Sequence, residues 1–404
     1  MSETRKPWAI YAITKHGIQI AENLVGHLPQ ADLYVSEKLF SQISVKAQKM
    51  GLPMGPTLEK NFKAYDAHIF IISVGAVVRM VAPLFENKKV DPAILCVDDN
   101  AQFVIPILSG HVGRGNEFTH RVAKILNATP VITTASDVRG TLTVDILGRD
   151  LGWILDDLDR NVTLGCAAVV NQQPVLIIQE TGEPNFWPLD QSLPPGVDYT
   201  NSFENGEASA HSIFLVITDR DFQNEYPEIY SKTVIYRPKS LVLGLGCDSQ
   251  TPFELVERGI KTTLEKYKLD IRCVKAIASV EKKANEPAFL ELKKKYNWEF
   301  KIFSSEELDG VQNIPNPSEI VKNFIGTKGV AEPSALLAAG APELLIPKQI
   351  YKEPEIPRSM TIAVARIPFA ARQNSPQPPL FNKEGGVEEN VVPLFYLKRG
   401  KGGV

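Results

Sequence analysis

Short apolar runs alternate with amphipathic stretches through the first third of the chain. Apolar runs that predict β-strands occupy residues 8–13, 31–35, 68–74, 93–97, 103–108 and 130–134. Apolar positions recur at helical spacing over residues 16–28, 58–65, 76–85 and 117–126. Such alternation is typical of helices that cover a parallel sheet, so we expect an N-terminal α/β domain over residues 1–136 with a mainly parallel sheet. Asp-Asp-Asn at 98–100 indicates a hairpin between two of these strands.

The alternation of apolar and amphipathic stretches is less regular after residue 136 and becomes regular again from residue 241. Residues 137–237 predict a small middle domain or insertion, with a helix at 144–151, strands at 167–170, 175–179 and 212–217, and loops over 181–211. Residues 241–369 predict a C-terminal α/β domain with strands at 241–245, 271–279, 300–303, 344–350 and 361–366. Its helices are expected at 251–267, 286–296, 316–326 and 331–339, and Thr251 and Asn316 each begin a cap-Pro-x-Glu signature that predicts a capping box. Residues 370–404 are rich in Pro, Gly and charge, which predicts a disordered tail.

Composition narrows the class of protein. The chain has 404 residues and a net charge of -3, which argues against a nucleic-acid surface. Its four cysteines form no CxxC pair, so neither a disulfide framework nor a zinc site is expected, and a reduced cytoplasm is the simplest location. The N-terminus lacks the apolar core of a signal peptide, and no apolar run reaches the length of a membrane helix, so we expect no membrane partner.

The most informative segment is the glycine-rich loop at residues 109–116. An apolar run ends there, and a helical pattern begins at residue 117. Glycines allow close approach to a ligand, the free N–H groups of a helix start favour an anion, and a histidine titrates near neutral pH. The plain alternative is a strand-to-helix turn with an incidental histidine. The candidate residues in this loop are Ser109, Gly110, His111, Gly113, Arg114 and Asn116.

Two further strand ends carry candidate chemistry. Gly75 and Arg79 follow the strand at 68–74, with Arg79 expected in the first turn of a helix. Thr134 and Asp137 follow the strand at 130–134 and suit polar recognition or activation of a water, although Ser136 or Asp137 can equally cap a helix. Because ligands of open α/β sheets bind beyond the carboxyl ends of strands, we expect these loops to open on one sheet edge.

The C-terminal domain offers weaker candidates. Glu281, Lys282 and Glu332 either line the mouth of a second pocket or, in the case of Glu332, favour the dipole of a helix start. Gly244-Leu-Gly-Cys-Asp248 is not a dinucleotide fingerprint, and Cys247 has no neighbouring histidine that indicates a nucleophile. No metalloprotease, Walker A or EF-hand motif is present, so no metal held by the protein is expected.

Several motifs taken together resemble the CbiG family. They are Ser73-Val-Gly-Ala-Val-Val-Arg79, Leu108-Ser-Gly-His-Val-Gly-Arg-Gly-Asn116, Val131-Ile-Thr-Thr-Ala-Ser-Asp137, Leu243-Gly-Leu-Gly-Cys247, Ile277-Ala-Ser-Val-Glu-Lys-Lys283 and Gly329-Val-Ala-Glu-Pro-Ser-Ala335. The last three resemble the domain that CbiG shares with CobE. Arg114 stands where the family usually has glycine. The resemblance spans roughly residues 8–368 in the same order.

The resemblance implies hydrolysis of a corrinoid δ-lactone, cobalt-precorrin-5A, with release of acetaldehyde. The cobalt would travel with the substrate, and the protein would need no cofactor of its own. From the residues themselves we expect His111 or Asp137 to be the general base, beside Ser109. We expect the N–H groups of Gly110 or Gly113 to stabilise the oxyanion. Arg79 and Arg114 would bind substrate carboxylates. Alternatives are a non-catalytic tetrapyrrole carrier that works beside other corrin-pathway enzymes, and a precorrin methyltransferase.

Overall fold

The structure is a computed structural model that describes residues 5–88, 90–156, 161–206, 208–312, 314–370 and 372. It contains three sheets, each built from one contiguous part of the chain and flanked by helices. The N-terminal and middle sheets are mostly parallel, and the C-terminal sheet has two parallel and two antiparallel strand pairings. The predicted α/β class and the order of an N-terminal, a middle and a C-terminal sheet are therefore confirmed. No helix of these described ranges is long and apolar enough to cross a membrane.

The N-terminal sheet has seven strands in the order β3-β2-β1-β4-β5-β6-β7. The strands are β1 (Lys6–Ala12), β2 (Ala31–Ser36), β3 (Gln48–Met50), β4 (Tyr65–Ile71), β5 (Ala93–Val97), β6 (Phe103–Leu108) and β7 (Thr129–Pro130). The helices are α1 (Lys15–His27), α2 (Gly55–Asn61), α3 (Val74–Val81), α4 (Gly115–Leu126) and α5 (Ala135–Arg139). The central strands are buried on both faces, because α1 and α4 pack in the core on one side and α2 and α3 in the core on the other.

The hairpin between β5 and β6 reverses the chain direction within this sheet. Strands β1, β2, β3, β4 and β5 run parallel, but β6 pairs antiparallel with β5, so that Leu108 lies opposite Ile94. Strand β7 then runs parallel to β6. The segment after β6 and the segment after β7 therefore meet at one edge, and the segment after β4 opens at the other.

The middle sheet has the order β10-β9-β11-β12-β8. Its elements are β8 (Ile154–Asp156), α6 (Asn161–Val170), β9 (Val175–Gln179), β10 (Val197–Thr200), β11 (Ile213–Ile217), α7 (Pro227–Ser231) and β12 (Thr233–Arg237). The predicted strand at 167–170 is wrong, because this segment ends helix α6, whose buried residues Val162, Gly165 and Val169 recur at helical spacing. The predicted helix at 144–151 is also wrong: two 3₁₀ turns, Val144–Ile146 and Arg149–Leu151, replace it.

The C-terminal sheet has the order β15-β14-β13-β17-β16. Its strands are β13 (Leu241–Cys247), β14 (Val274–Val280), β15 (Glu299–Phe303), β16 (Ile346–Glu353) and β17 (Ile356–Arg366). Its helices are α8 (Phe253–Lys266), α9 (Pro287–Tyr296), α10 (Ser305–Asp309), α11 (Glu319–Ile325) and α12 (Ala331–Ala339). Helices α8 and α9 cover one face, and α12 covers the other.

The two predicted capping boxes of this domain do not form. Helix α8 begins after Pro252, and the Thr251 hydroxyl donates to the carbonyl of Asp248 instead of capping the helix. Helix α11 is capped by Ser318 rather than Asn316. The observed capping box lies at Ser304, which accepts from the N–H of Glu307 and caps α10. The cap-Pro-x-Glu signature therefore predicted correctly that each proline lies near a helix start, but it predicted the wrong N-cap residue.

Polar contacts join the middle and C-terminal parts of the chain. The carboxylate of Asp219, which is fully buried at the end of the middle sheet, accepts two 2.7 Å hydrogen bonds from Arg366 of β17. The hydroxyl of Ser240 donates to the same carboxylate at 2.8 Å. Arg372 is also buried, and its guanidinium donates to four backbone carbonyls between residues 184 and 191. The predicted tail thus has an anchored residue at 372, and its residues 373–404 lie outside the described part of the chain.

Candidate active site

The loop between β6 and α4 folds tightly on itself. Ser109 and Arg114 adopt left-handed backbone conformations with φ of 58° and 63°. A Cβ atom on Gly113 would lie 2.4 Å from the Cβ of Ser109, so this turn needs glycine. The N–H groups of Gly115 and Asn116 donate to the carbonyls of residues 109 and 110 at 2.9 Å. These two N–H groups close the loop, so they are not free to bind an anion.

His111 lies at the centre of a polar cluster that the fold assembles from three segments. We call this group the His111 cluster: His111, Asn116, Ser136, Asp137 and Asp145. The His111 Nε2 atom lies 2.9 Å from Asp137 Oδ2 and 3.1 Å from Ser136 Oγ. Its Nδ1 atom lies 3.3 Å from Asp145 Oδ1, within ion-pair distance. Both ring nitrogens therefore face a carboxylate.

The electrostatics of the cluster favour a charged imidazole. The facing carboxylate of Asp145 is the largest cause that raises the pKa of His111 above its ordinary value, and Asp137 adds to it, while partial burial opposes both. The side chains of His111 and Asp145 are 15% and 18% exposed, whereas that of Asp137 is 36% exposed. Asp137 is thus the member of the cluster that solvent or a ligand reaches most easily.

Asn116 fixes Asp137 from the helix side. Its buried amide Nδ2 donates to Asp137 Oδ2 and to Thr134 Oγ1, each at 2.9 Å. All described hydrogen bonds to Asp137 therefore end on Oδ2, and Oδ1 accepts none within the described ranges. Asn116 lies in the first turn of α4, and from there its amide can reach both Asp137 and Thr134.

Two members of the site come from the middle part of the chain and were missed by the sequence analysis. Asp145 lies in the 3₁₀ turn Val144–Ile146, and Arg149 in the next turn donates from Nη1 to the carbonyl of His111 at 3.1 Å. The sequence offered no motif for either residue, because the segment was expected to be an ordinary helix. Only the packing of the middle sheet against the N-terminal loop brings them to His111.

The other loop candidates are engaged with the protein itself. The hydroxyl of Ser109 donates to the carbonyl of Asp91 at 3.0 Å, which ties the loop to the start of β5. Arg114 forms a two-point contact with Glu117 at 2.7 and 2.5 Å. The N–H groups of Gly110 and Gly113, in contrast, donate to no residue that the structure describes. They are the backbone donors that remain available beside His111.

Gly75 and Arg79 do not join this cluster. The loop that contains Gly75 follows the carboxyl end of β4, and the His111 loop lies at the opposite edge because β6 is reversed. The two edges are a strand length apart, roughly 15 Å. Arg79 lies in the last turn of α3 rather than the first, and it is exposed. The expectation that these loops open on one edge is wrong, and its cause is the hairpin that the same sequence predicted.

The C-terminal candidates serve the fold of their own domain. Glu332 is 2% exposed, and its carboxylate accepts from the N–H and the amide of Asn316 and from the N–H of Lys348 at 2.8–3.0 Å. Lys282 Nζ donates to the carbonyl of Phe324 at 2.9 Å, and Glu281 accepts a long contact from Ser305 at 3.5 Å. This geometry favours a structural role for Glu332 over a place in a pocket mouth.

The described residues offer neither a metal centre nor an activated thiol. No group of three or more His, Cys, Asp or Glu side chains in the described ranges is arranged to hold a metal ion. Burial raises the pKa of Cys247 to about 11, so its thiol stays protonated near neutral pH. The candidate site brings together carboxylates, an imidazole and backbone N–H groups.

Comparisons with known proteins cover nearly the whole chain. Family models match in three successive parts: Cobalamin synthesis G N-terminal over residues 56–137, Cobalamin biosynthesis central region over 142–238, and Cobalamin synthesis G C-terminus over 241–365. The first model includes His111 and Asp137, and the second includes Asp145 and Arg149.

Three named relatives agree with these matches. A cobalt-precorrin-5A hydrolase of Priestia megaterium is 40% identical over 369 residues, which are 90% of this chain and 96% of the relative. A cobalt-precorrin-5A hydrolase of Salmonella typhimurium is 32% identical over 340 residues, 81% of this chain and 91% of the relative. Protein CobE of a Sinorhizobium species is 34% identical over 111 residues, 27% of this chain and 72% of the relative. The chain belongs to the CbiG family of cobalamin biosynthesis.

Proposed function

We infer that this protein is a cobalt-precorrin-5A hydrolase. The observation that carries the inference is the 40% identity over 90% of the chain to a relative of that name. The geometry supports it, because the His111 cluster combines an accessible carboxylate with free backbone donors. The substrate is a small-molecule corrinoid that brings its own cobalt, and the protein supplies binding and proton transfer.

The reaction consumes one water and releases one aldehyde. Water adds to the lactone carbonyl carbon, the ring C–O bond breaks, and the leaving oxygen takes up a proton. The new hydroxyl then loses its proton, the adjacent C–C bond breaks, and acetaldehyde departs. The electron pair of that bond remains on the macrocycle, which takes up a proton. Each of these two reaction steps, lactone opening and C–C cleavage, needs a group that removes or supplies a proton at a fixed position.

Asp137 is the base in this proposal. Its Oδ2 atom is held by His111 and Asn116, so its free Oδ1 atom has a fixed direction. A carboxylate held in this way takes a proton from the attacking water, and the N–H groups of Gly110 and Gly113 receive the negative charge on the lactone oxygen. His111 acts as a positioning residue, because both of its nitrogens already face carboxylates.

Trapping of acetaldehyde tests the function. Full-length protein incubated with the cobalt-precorrin-5A lactone should release one acetaldehyde per lactone consumed. Asp137→Asn should lower kcat by about 10²-fold or more, since the amide cannot take the proton. Asp198→Asn is a matched control, because Asp198 also lies beside a histidine, His211 at 3.4 Å, but on the middle sheet.

Two outcomes would contradict this proposal at different levels. Full activity of Asp137→Asn would remove the assigned base and leave the hydrolase in place. Tight binding of the corrinoid without any aldehyde would instead identify a non-catalytic tetrapyrrole carrier. Circular dichroism of each variant separates a loss of chemistry from a loss of folding.

A further inference from the structure

The C-terminal domain contains a cavity that the proposed reaction does not use. It has a volume of about 400 Å³ and lies beyond the carboxyl ends of β13 and β14. Gly246 and Ala331 form part of its floor, and one face of α11 forms a wall. All of its lining residues come from the C-terminal domain, so the cavity is separate from the His111 cluster.

The rim of this cavity carries large apolar side chains that nothing described covers. Ile320 and Phe324 are 72% and 76% exposed, and Ile350 on β16 is 66% exposed. Ile320 and Phe324 are four residues apart and therefore lie on one face of α11. Exposed apolar side chains clustered around a concavity are typical of a ligand-binding or interaction site rather than of ordinary protein surface.

The apolar wall is held in place by the domain. Ser318 caps the start of α11, and Gly326 ends the helix with a φ of 94°. Lys282 donates to the carbonyl of Phe324, and the hydroxyl of Ser305 donates to that of Ile325 at 2.8 Å. Because both ends of this helix are fixed, its exposed apolar face is presented to the cavity in a defined position.

The cavity also has a cation without a counter-ion. Lys348 lines it, and its Nζ donates to the carbonyl of Asn316 at 2.8 Å, with no carboxylate of the described residues within ion-pair distance. Lys283 also lines the cavity, but Glu286 neutralises it at 2.6 Å. The complementary ligand has a broad apolar body and a carboxylate at its edge.

We propose that this cavity is a second corrinoid-binding site, which holds an apolar part of the macrocycle against α11 and a peripheral carboxylate at Lys348. The proposal rests on the proposed function, because that function brings a flat, apolar ring with peripheral acids to the protein. It adds a site that binds the corrinoid without reacting with it. The cavity volume suits one edge of such a ring, and the remainder projects over the exposed rim.

Binding of a stable cobalt corrin polycarboxylate, cobyrinic acid, tests the proposal. It is titrated into full-length Asp137→Asn, and no turnover accompanies binding because cobyrinic acid has no lactone to open. Adding Phe324→Asp should weaken binding at least about tenfold, because it places a charge on the apolar wall. Adding Lys348→Gln should weaken it about three- to tenfold through the lost charge pairing. Matched controls are Leu290→Asp, on an exposed position of α9, and Lys352→Gln, also on β16, which should each stay within about twofold.

The outcomes separate this site from the proposed function. If aldehyde is released by the unaltered chain but the Phe324 and Lys348 variants bind cobyrinic acid normally, the second site is overturned and the hydrolase stands. If no aldehyde is released but both variants lose binding, the site stands and the hydrolase falls. If Phe324→Asp instead abolishes self-association in sedimentation without changing corrinoid affinity, a second copy of this chain is the occupant and the proposal is overturned.

Discussion

At the residue scale, the chemistry of the candidate site depends on which side chains face the two ring nitrogens of His111. The sequence placed a histidine in a glycine loop but could not say which carboxylates would surround it. The structure places Asp145 at Nδ1 and Asp137 at Nε2. This arrangement makes His111 a group that orients the base rather than the base itself, because both of its ring nitrogens already face carboxylates.

The raised pKa of His111 predicts a pH dependence of stability. A group whose pKa is higher in the folded than in the unfolded chain stabilises the fold fully below its unfolded pKa, and this contribution is lost as the pH rises through the folded pKa. The free energy of unfolding should therefore fall from about pH 6.5 upward. His111→Gln should show a smaller fall over the same range. Urea unfolding of both proteins at about pH 6 and about pH 8.5 measures the difference.

Equal slopes for the two proteins would contradict this prediction. His68→Gln provides the control, because burial lowers the pKa of His68 to about 4. A histidine that is buried in its neutral form costs stability only as the pH falls below its unfolded pKa of 6.5. His68→Gln should therefore change the pH dependence of the unfolding free energy below about pH 6.5 and leave it unchanged at higher pH.

At the element scale, the direction of one strand decides which loops form the site. Strand β6 returns antiparallel to β5, so the loops after β6 and β7 meet, and the loop after β4 is left at the far edge. The sequence indicated the hairpin through Asp98-Asp99-Asn100 and also indicated both glycine loops. The prediction that these loops open on one sheet edge was wrong because it treated all strands of the sheet as parallel.

The packing of α12 on β13 predicts a strong effect of one glycine. A Cβ atom on Gly244 would lie 1.8 Å from the carbonyl oxygen of Ala331, which belongs to a backbone that cannot move aside. Gly244→Ala should therefore destabilise the protein by about 3 kcal/mol or more, or prevent folding. Chemical denaturation measures the change.

The matched control for that variant is Gly26→Ala in α1. A Cβ atom there would meet no atom within 4 Å, and alanine favours a helix more than glycine does. We expect this variant to be neutral or to gain up to about 1 kcal/mol. A similar effect of the two substitutions would show that the close approach at Gly244 is not what requires glycine.

At the scale of the whole molecule, ion pairs connect domains whose bounds the sequence indicated only approximately. Arg366 of the C-terminal sheet reaches the fully buried Asp219 of the middle sheet, and Arg272 reaches Asp156 at 2.6 Å. His111 and Asp145 make the corresponding contact between the N-terminal and middle parts. The candidate site is thus a product of domain packing as well as of local motifs.

Removal of one partner of the buried pair should be costly. Asp219→Ala leaves the guanidinium of Arg366 largely buried without a counter-ion, and such a loss typically costs about 3–5 kcal/mol. Asp221→Ala, two residues away on the exposed surface, should cost less than about 1 kcal/mol. Urea unfolding followed by fluorescence and by circular dichroism measures both, and equal costs would show that the pair does not hold the two sheets together.

The sequence by itself determined the α/β class, most strands of the N-terminal and C-terminal sheets, and the family. These are set by local periodicity and by motifs that stand in order along the chain. It also singled out His111, Asn116, Thr134 and Asp137, which the structure brings together. Only the tertiary structure decided that Asp145 and Arg149 join them, that Gly75 and Arg79 do not, and that Glu332 is buried. Those outcomes depend on strand direction and on packing between distant segments, and neither leaves a periodic or compositional mark on the chain.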